Sequence, residues 1–211
     1  AVGMILTLGG GIPGGVWAAP AHRNWRGGAA NFAAIAGMSI PTFWLGILMI
    51  MLFSVQLGWL PSSGYVSPAE DLGRNLSTLL MPAVALGVGV AGVLGRHARG
   101  SMMTALSSDY IRTARAKGLP DRTVTYRHAL RNAWIPVITL SMIEFGHLLA
   151  GAVITEQIFS IPGMGKLIVD AVLYRDYAVV QGIVLVAAAM YIGLNLLADL
   201  LYYVANPKMR G

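Results

Sequence analysis

Residues 79–155 read LLMPAVALGVGVAGVLG (79–95), RHARGSMMTALSSDYIRTARAKGLPDRTVTYRHALRNAW (96–134) and IPVITLSMIEFGHLLAGAVIT (135–155). Two apolar runs flank a connection with eight basic side chains: Arg96, Arg99, Arg112, Arg115, Lys117, Arg122, Arg127 and Arg131. A hydrocarbon core about 30 Å thick takes about 20 apolar residues in a helix, which satisfies its own backbone where water cannot. The pattern predicts two membrane-crossing helices joined by a long basic connection on one side of the bilayer.

Outward from this centre, three further apolar runs occupy 1–19, 33–57 and 179–204, giving five predicted spans with 79–95 and 135–155. The run at 79–95 is the shortest. Composition agrees: 56% of the 211 residues are hydrophobic and 11% charged, against about 25% charged in a typical soluble domain. A soluble all-helical protein would have to hide five such runs from water. The predicted class is an all-α polytopic membrane protein, a single domain over 1–211 with 96–134 as its cytoplasmic loop.

The basic residues set the orientation. Arg23 and Arg26 lie in the first connection, the eight above in the third, and Lys208 and Arg210 at the end. The second connection has Arg74 with Glu70 and Asp71; the fourth has Lys166 and Arg175 beside Glu156, Asp170 and Asp176. Cytoplasmic loops carry the Lys and Arg excess, so connections one and three and the C-terminus are expected inside, with the start of the chain outside. The chain opens at Ala1 in an apolar run without the basic leader of a signal peptide, so a preceding N-terminal part is expected.

The sequence has no cysteine, which excludes disulfides, thiolate nucleophiles and Cys-ligated metal. His22, His97, His128 and His147 lie too far apart in sequence for a zinc spacing. Neither a cofactor, a metal nor a catalytic residue is predicted, and the protein is not expected to be an enzyme or to bind nucleic acid.

A connection of this length exceeds the roughly 2–8 residues that join bundle helices and should hold structure of its own. Ser107, Ser108 and Asp109 offer capping oxygens before 110–117; Gly118 and Pro120 stop that helix, and Asp121 opens a second through Arg131. Leu106, Tyr110, Ala114 and Gly118, spaced by four, are expected to form one face that narrows to small side chains near the turn. Such a nose could enter a groove on another protein.

DYIRTARAKGLP followed by RHALRNAWIPVIT resembles the cytoplasmic loop of type I ABC importer permeases, in the dipeptide, oligopeptide and nickel branch. SIPTFWLGILMIMLFSVQLGWLPSSG (39–64) and TEQIFSIPGMGKLIVDAVLYRDYAVVQG (155–182) resemble the same branch, as its first, B-type permease subunit. The resemblance implies that Asp109, Tyr110, Arg112, Thr113, Ala114, Gly118, Leu119 and Pro120 belong to coupling helices that dock into a cytoplasmic ATPase. The family motif, Glu-Ala-Ala, three residues, then Gly, has Arg112, Thr113 and Ala114 here ahead of Gly118, a departure common in the peptide branch. Implied partners are a second homologous permease, two ABC ATPase subunits, an extracytoplasmic solute-binding protein and membrane lipid. Family members usually have six spans, so the first is expected to be missing.

Other features weigh less. Gly9, Gly11 and Gly14 match a dinucleotide-loop spacing, but Pro13 interrupts it, no strand precedes it and Asn31 stands where an acid would hold ribose; a closely packed span is expected. Gly165-Lys166 fails the phosphate-loop pattern, with Ser160 at the first glycine and Leu167 after the lysine. Asn75-Leu76-Ser77 fits a glycosylation acceptor. Gly87, Gly89, Ala91, Gly92 and Gly95, and Gly146 with Ala150, mark small faces that let neighbours approach; Asn195 and Asp199 can bond one partner helix. Glu144 and His147 lie inside the fourth span as pathway candidates or interhelical hydrogen-bonding groups. Glu156, Phe159, Pro162 and Gly163 open a stretch, 156–176, expected to bend back at the outer mouth.

The expected function is ATP-driven import of di- or oligopeptides as a multi-pass permease in a prokaryotic inner membrane. The same fold importing nickel or glutathione is the alternative. An ion-coupled transporter working alone would need more charges along its spans.

Overall fold

The computed structural model describes residues 2–18 and 25–205, and every regular element among them is helical. The helices are α1 (Val2–Ala18), α2 (Trp25–Ser39), α3 (Thr42–Met49, continued by a π-helix Ile50–Gln56), α4 (Leu72–Leu106) and α5 (Asp109–Ala116). They are followed by α6 (Asp121–Thr123, continued by a π-helix Val124–Ala129), α7 (Leu130–Phe159), α8 (Met164–Leu173) and α9 (Tyr177–Ala205). Arg23, Lys208 and Arg210, and the side chain of Arg26, lie outside the described residues.

The centre is α4. Asp71 caps its start by accepting from the Arg74 backbone N–H at 3.0 Å. The run expected at 79–95 is the core of a 35-residue helix, because 96–106 consists mostly of Arg, Ala, Met and Leu. Gly100, at about 1 kcal/mol, is a weak interruption. At 1.5 Å per residue α4 is about 52 Å long, well beyond a hydrocarbon core, so Arg96 and Arg99 belong to the helix and not to a loop.

Small residues bring α1 and α2 against α4. A Cβ on Gly11 would meet the Ala91 carbonyl oxygen at 2.5 Å, and one on Gly15 would overlap that of Gly95. On the α2 side, a Cβ on Gly92 would meet the Ala34 carbonyl oxygen at 2.5 Å. Lipid supplies no hydrophobic drive between helices, so such close packing is what holds them together. Of the three glycines in the nucleotide-loop spacing only Gly11 makes this contact; Gly9 and Gly14 face open space. Ile12, Leu94, Ala98 and Val137 close a core among α1, α4 and α7.

All five predicted spans are helical where described, but two differ in shape. The second is broken: 31–39 and 42–56 meet at 93° around Ile40 and Pro41. After the fourth, 152–159 and 164–173 meet at 81°. Among the described residues Leu72–Leu106 and Tyr177–Leu200 are long and apolar enough to cross a membrane, and each bent pair, counted as one span, brings the number to four.

α9 packs on α7, with the Tyr191 ring over Gly146, and otherwise shows its apolar side chains. Asn195 and Asp199 are exposed on it, so neither makes the interhelical contact expected of it within this chain. The side chain of Ala150 lies outside the described residues. Asn75 is buried and its side-chain amide donates to the Val66 carbonyl, which withdraws it as a glycosylation acceptor.

Candidate functional site

Beyond α4 the chain turns sharply at Ser107 and Ser108. The two hydroxyls expected to cap the next helix instead donate back to the Thr104 carbonyl, at 2.9 and 3.0 Å. They relieve one of the carbonyls left open where α4 ends, and α5 starts at Ser108 without a side-chain cap. Asp109 pairs with Arg112 at 3.6 Å; both are so exposed that the pair contributes little.

The end of α5 follows the expected chemistry closely. Gly118 has φ +76, its N–H donates to the Arg115 carbonyl at 2.9 Å, and the Leu119 N–H donates to that of Ala114 at 3.4 Å. This is the two-bond Schellman ending, which places a left-handed residue just past the helix. Pro120 then starts α6, and Arg115 reaches Asp121 across the turn at 3.5 Å. Gly118→Ala is expected to destabilise the turn by about 1–2 kcal/mol, measured as faster tryptic cleavage at Lys117 with the rest of the chain intact.

The hairpin is held by a cluster it shares with the ends of α4 and α7. Ile111 and Ala114 pack with Met102, Ala105, Val124, Ala129 and Ala133, and Leu106 lies partly buried against them. The face expected to form a docking nose is split: Tyr110, 41% exposed, and Gly118 lie outside, whereas Ala114 points inward beside the fully enclosed Ile111. Ile111 is the one aliphatic side chain longer than alanine in α5, a signal that spacing by four passed over. The free surface includes Asp109, Tyr110, Arg112, Thr113, Arg115, Ala116, Lys117, Gly118, Leu119 and Pro120, an aromatic ring and three cations with one acid, ending in an apolar tip. A cavity of about 390 Å³ beside it is lined by Ser101, Thr104, Ser108, Tyr110 and Asn132, among others.

The second hairpin helix does not end at Arg131 as expected. α6, its π-turn and α7 run without a break from Asp121 to Phe159. No terminator stands between them, and Pro136 removes only one backbone donor. α7 alone is about 45 Å long, so one continuous helix joins the hairpin to the bend that follows Phe159.

At that bend Glu156 and Gly163 form a latch. A Glu156 carboxylate oxygen accepts from the Lys166 N–H in the first turn of α8 at 2.9 Å, where a negative charge also suits the helix dipole. Gly163 lies so close that a Cβ there would overlap this carboxylate. Phe159 is 1% exposed, with its ring 3.2 Å from where a Cβ on Gly46 would sit, and its carbonyl accepts from the Gly64 N–H at 3.0 Å. Pro162 stays exposed. These contacts tie α3, the 57–71 segment and α8 to the end of α7; Gly46 and Gly64 were not expected to take part.

Glu144 is half-buried near the middle of α7, in a cavity of about 250 Å³. The side chain of His147 lies outside the described residues. The structure therefore separates the candidates into a hairpin, a mid-helix carboxylate and a latched bend, strung along one rod. That arrangement suits transmission of movement, and among the described residues no group of three or more His, Asp or Glu could hold a metal ion.

The family model described as "Binding-protein-dependent transport system inner membrane component" matches residues 11–211. The chain belongs to this family. A protein of Brucella abortus named as a peptide transport system permease is 42% identical over 205 residues, covering 97% of this chain and 65% of the relative. The glutathione transport system permease protein GsiC of Escherichia coli is 42% identical over 200 residues, covering 95% of this chain and 63% of the relative. The chain thus spans a little under two thirds of the length of these relatives. Family membership accounts for the all-helical architecture and for the apolar, lipid-suited surface of α9, as in a multi-pass inner-membrane protein.

Proposed function

We propose that this chain is a permease subunit of an ATP-driven importer of short peptides, itself no enzyme, that forms part of the translocation path and takes its energy from separate ATPase subunits. The observation that carries the reading is the 107–121 hairpin: a prong on the end of an overlong α4, packed through Ile111 and Ala114 against α4 and α7 and continuous through α6 with α7. Its free face of Tyr110, Leu119, Pro120 and the three cations Arg112, Arg115 and Lys117 fits a docking surface. The relatives' names add the cargo, and glutathione, itself a tripeptide, falls within the same chemical class. No specific observation favours nickel.

In this reading connections one and three and the C-terminus are cytoplasmic, by the excess of basic residues, and cations around 96–131 also rest against anionic headgroups. Two ATPase subunits grip this hairpin and that of a second, homologous permease. Closure of the ATPases pulls the hairpin, and the rod carries the movement to the latched bend at the outer mouth, where a solute-binding protein delivers cargo. ATP drives the cycle by binding one conformation more tightly than the other, and the spans alternate in access about a site near mid-depth.

The test is uptake of a radiolabelled dipeptide into vesicles holding the full chain with its neighbouring permease, ATPases and binding protein. Uptake that requires ATP and the ATPase subunits is expected. Equal uptake in vesicles without any ATPase would contradict the proposal and favour a transporter working alone.

A further inference from the structure

The mid-depth cavity has an unusual composition for a membrane helix bundle. Met38, Thr42, Leu86, Gly89, Val90, Val93 and Leu148 line it together with one carboxylate, that of Glu144. It lies near the middle of both long helices, α4 and α7, and at the break between α2 and α3, since Met38 and Thr42 flank that break. The cavity, the carboxylate and the break are three separate features in one place.

Each has a physical consequence. An ionisable group among apolar walls inside a membrane is costly to keep, and such groups mark cargo or ion paths. A broken span leaves open backbone groups at mid-depth: the last carbonyls of α2, with their partial negative charge, and the first N–H groups of α3. Discontinuous helices place such ends around transported solutes. A carboxylate beside a helix C-terminus favours a cation, while N–H groups across the break favour a carbonyl oxygen.

We propose that Glu144 receives the amino-terminal ammonium of a peptide in transit, with the surrounding apolar wall accepting its first side chain; this rests on the importer reading above. Size supports one end of a peptide as occupant: about 250 Å³ is below the roughly 300–1,000 Å³ that encloses a drug-sized ligand. A divalent metal ion fits poorly, because it asks for about four to eight donor atoms and the wall supplies one carboxylate and one hydroxyl. The ammonium needs one counter-charge and a few oxygen acceptors.

The experiment uses the whole complex in vesicles and labelled dialanine. Glu144→Gln is expected to lower uptake about 10- to 100-fold, the worth of a hydrogen bond to a charged group, chiefly through a raised KM. ATP hydrolysis stimulated by the binding protein should persist, and Glu144→Asp should restore most of the uptake. Gly89→Leu fills the cavity from α4, where a Cβ has room, with the Gly37 carbonyl oxygen 3.9 Å away; it should lower uptake without touching the charge. Wild-type uptake in both Glu144→Gln and Gly89→Leu would overturn the site while leaving the importer standing. Joint loss of assembly and ATP hydrolysis in Glu144→Gln would mark Glu144 as structural and also overturn it. A wild-type complex that takes up no peptide would remove the importer reading and the site with it.

Discussion

Ile111→Ala is expected to destabilise the 107–121 hairpin by about 2–5 kcal/mol, the cost of truncating a fully enclosed aliphatic side chain. Ile111 has no exposed surface, and four of its six core companions are alanines, Ala105, Ala114, Ala129 and Ala133. Alanine cannot reach into the space left behind, so the void stays open and the cost falls toward the upper end. An eight-residue helix has no stability of its own in water, so α5 depends on this packing to hold its position under α4. Loss of the hairpin should appear as rapid tryptic cleavage at Arg112, Arg115 and Lys117, with the remaining helices intact. Cleavage at the wild-type rate would mean that the hairpin is held by something other than Ile111.

Gly15→Leu is expected to have the second large effect, at the crossing of α1 and α4. The two backbones approach so closely that even a Cβ at Gly15 overlaps the Gly95 carbonyl, so the helices must part along their length. Overpacking costs about 1–3 kcal/mol or more, and for a chain of this size that corresponds to roughly 2–12 °C in the melting temperature. Gly14→Leu is the matched control, because nothing lies within 4 Å of a Cβ there. Equal melting temperatures for the two variants would contradict the crossing described for α1 and α4.

Much of this architecture was legible in the residues alone. Apolar runs reveal spans because a membrane tolerates so few other solutions. The turn at Gly118 was readable for a similar reason: a left-handed position followed by proline leaves few alternatives. Less legible was anything that depends on what stands opposite. Ser107 and Ser108 are good caps in either direction, and only the position of the Thr104 carbonyl decides that they close α4. Spacing by four put Tyr110 and Ala114 on one docking face, whereas packing of the aliphatic Ile111 draws Ala114 inward and leaves Tyr110 outside. The break at Ile40 and Pro41 and the latch of Glu156 on α8 are long-range geometry, written in no local pattern beyond proline and glycine. The continuity of α6 with α7 was hidden because the helix opened at Asp121 was read as ending at Arg131, ahead of a separate span from 135, where the backbone has no reason to stop.

The account rests on the hairpin as a grip for a separate ATPase, and crosslinking tests this most directly. With a single cysteine at Leu119, at the exposed tip, membranes holding the complete transporter should yield a crosslink to the ATPase subunit whose efficiency changes between nucleotide-free and ATP-bound states. A Leu119→Cys chain that never joins the ATPase, and is labelled instead by an impermeant thiol reagent from outside the cell, would contradict it.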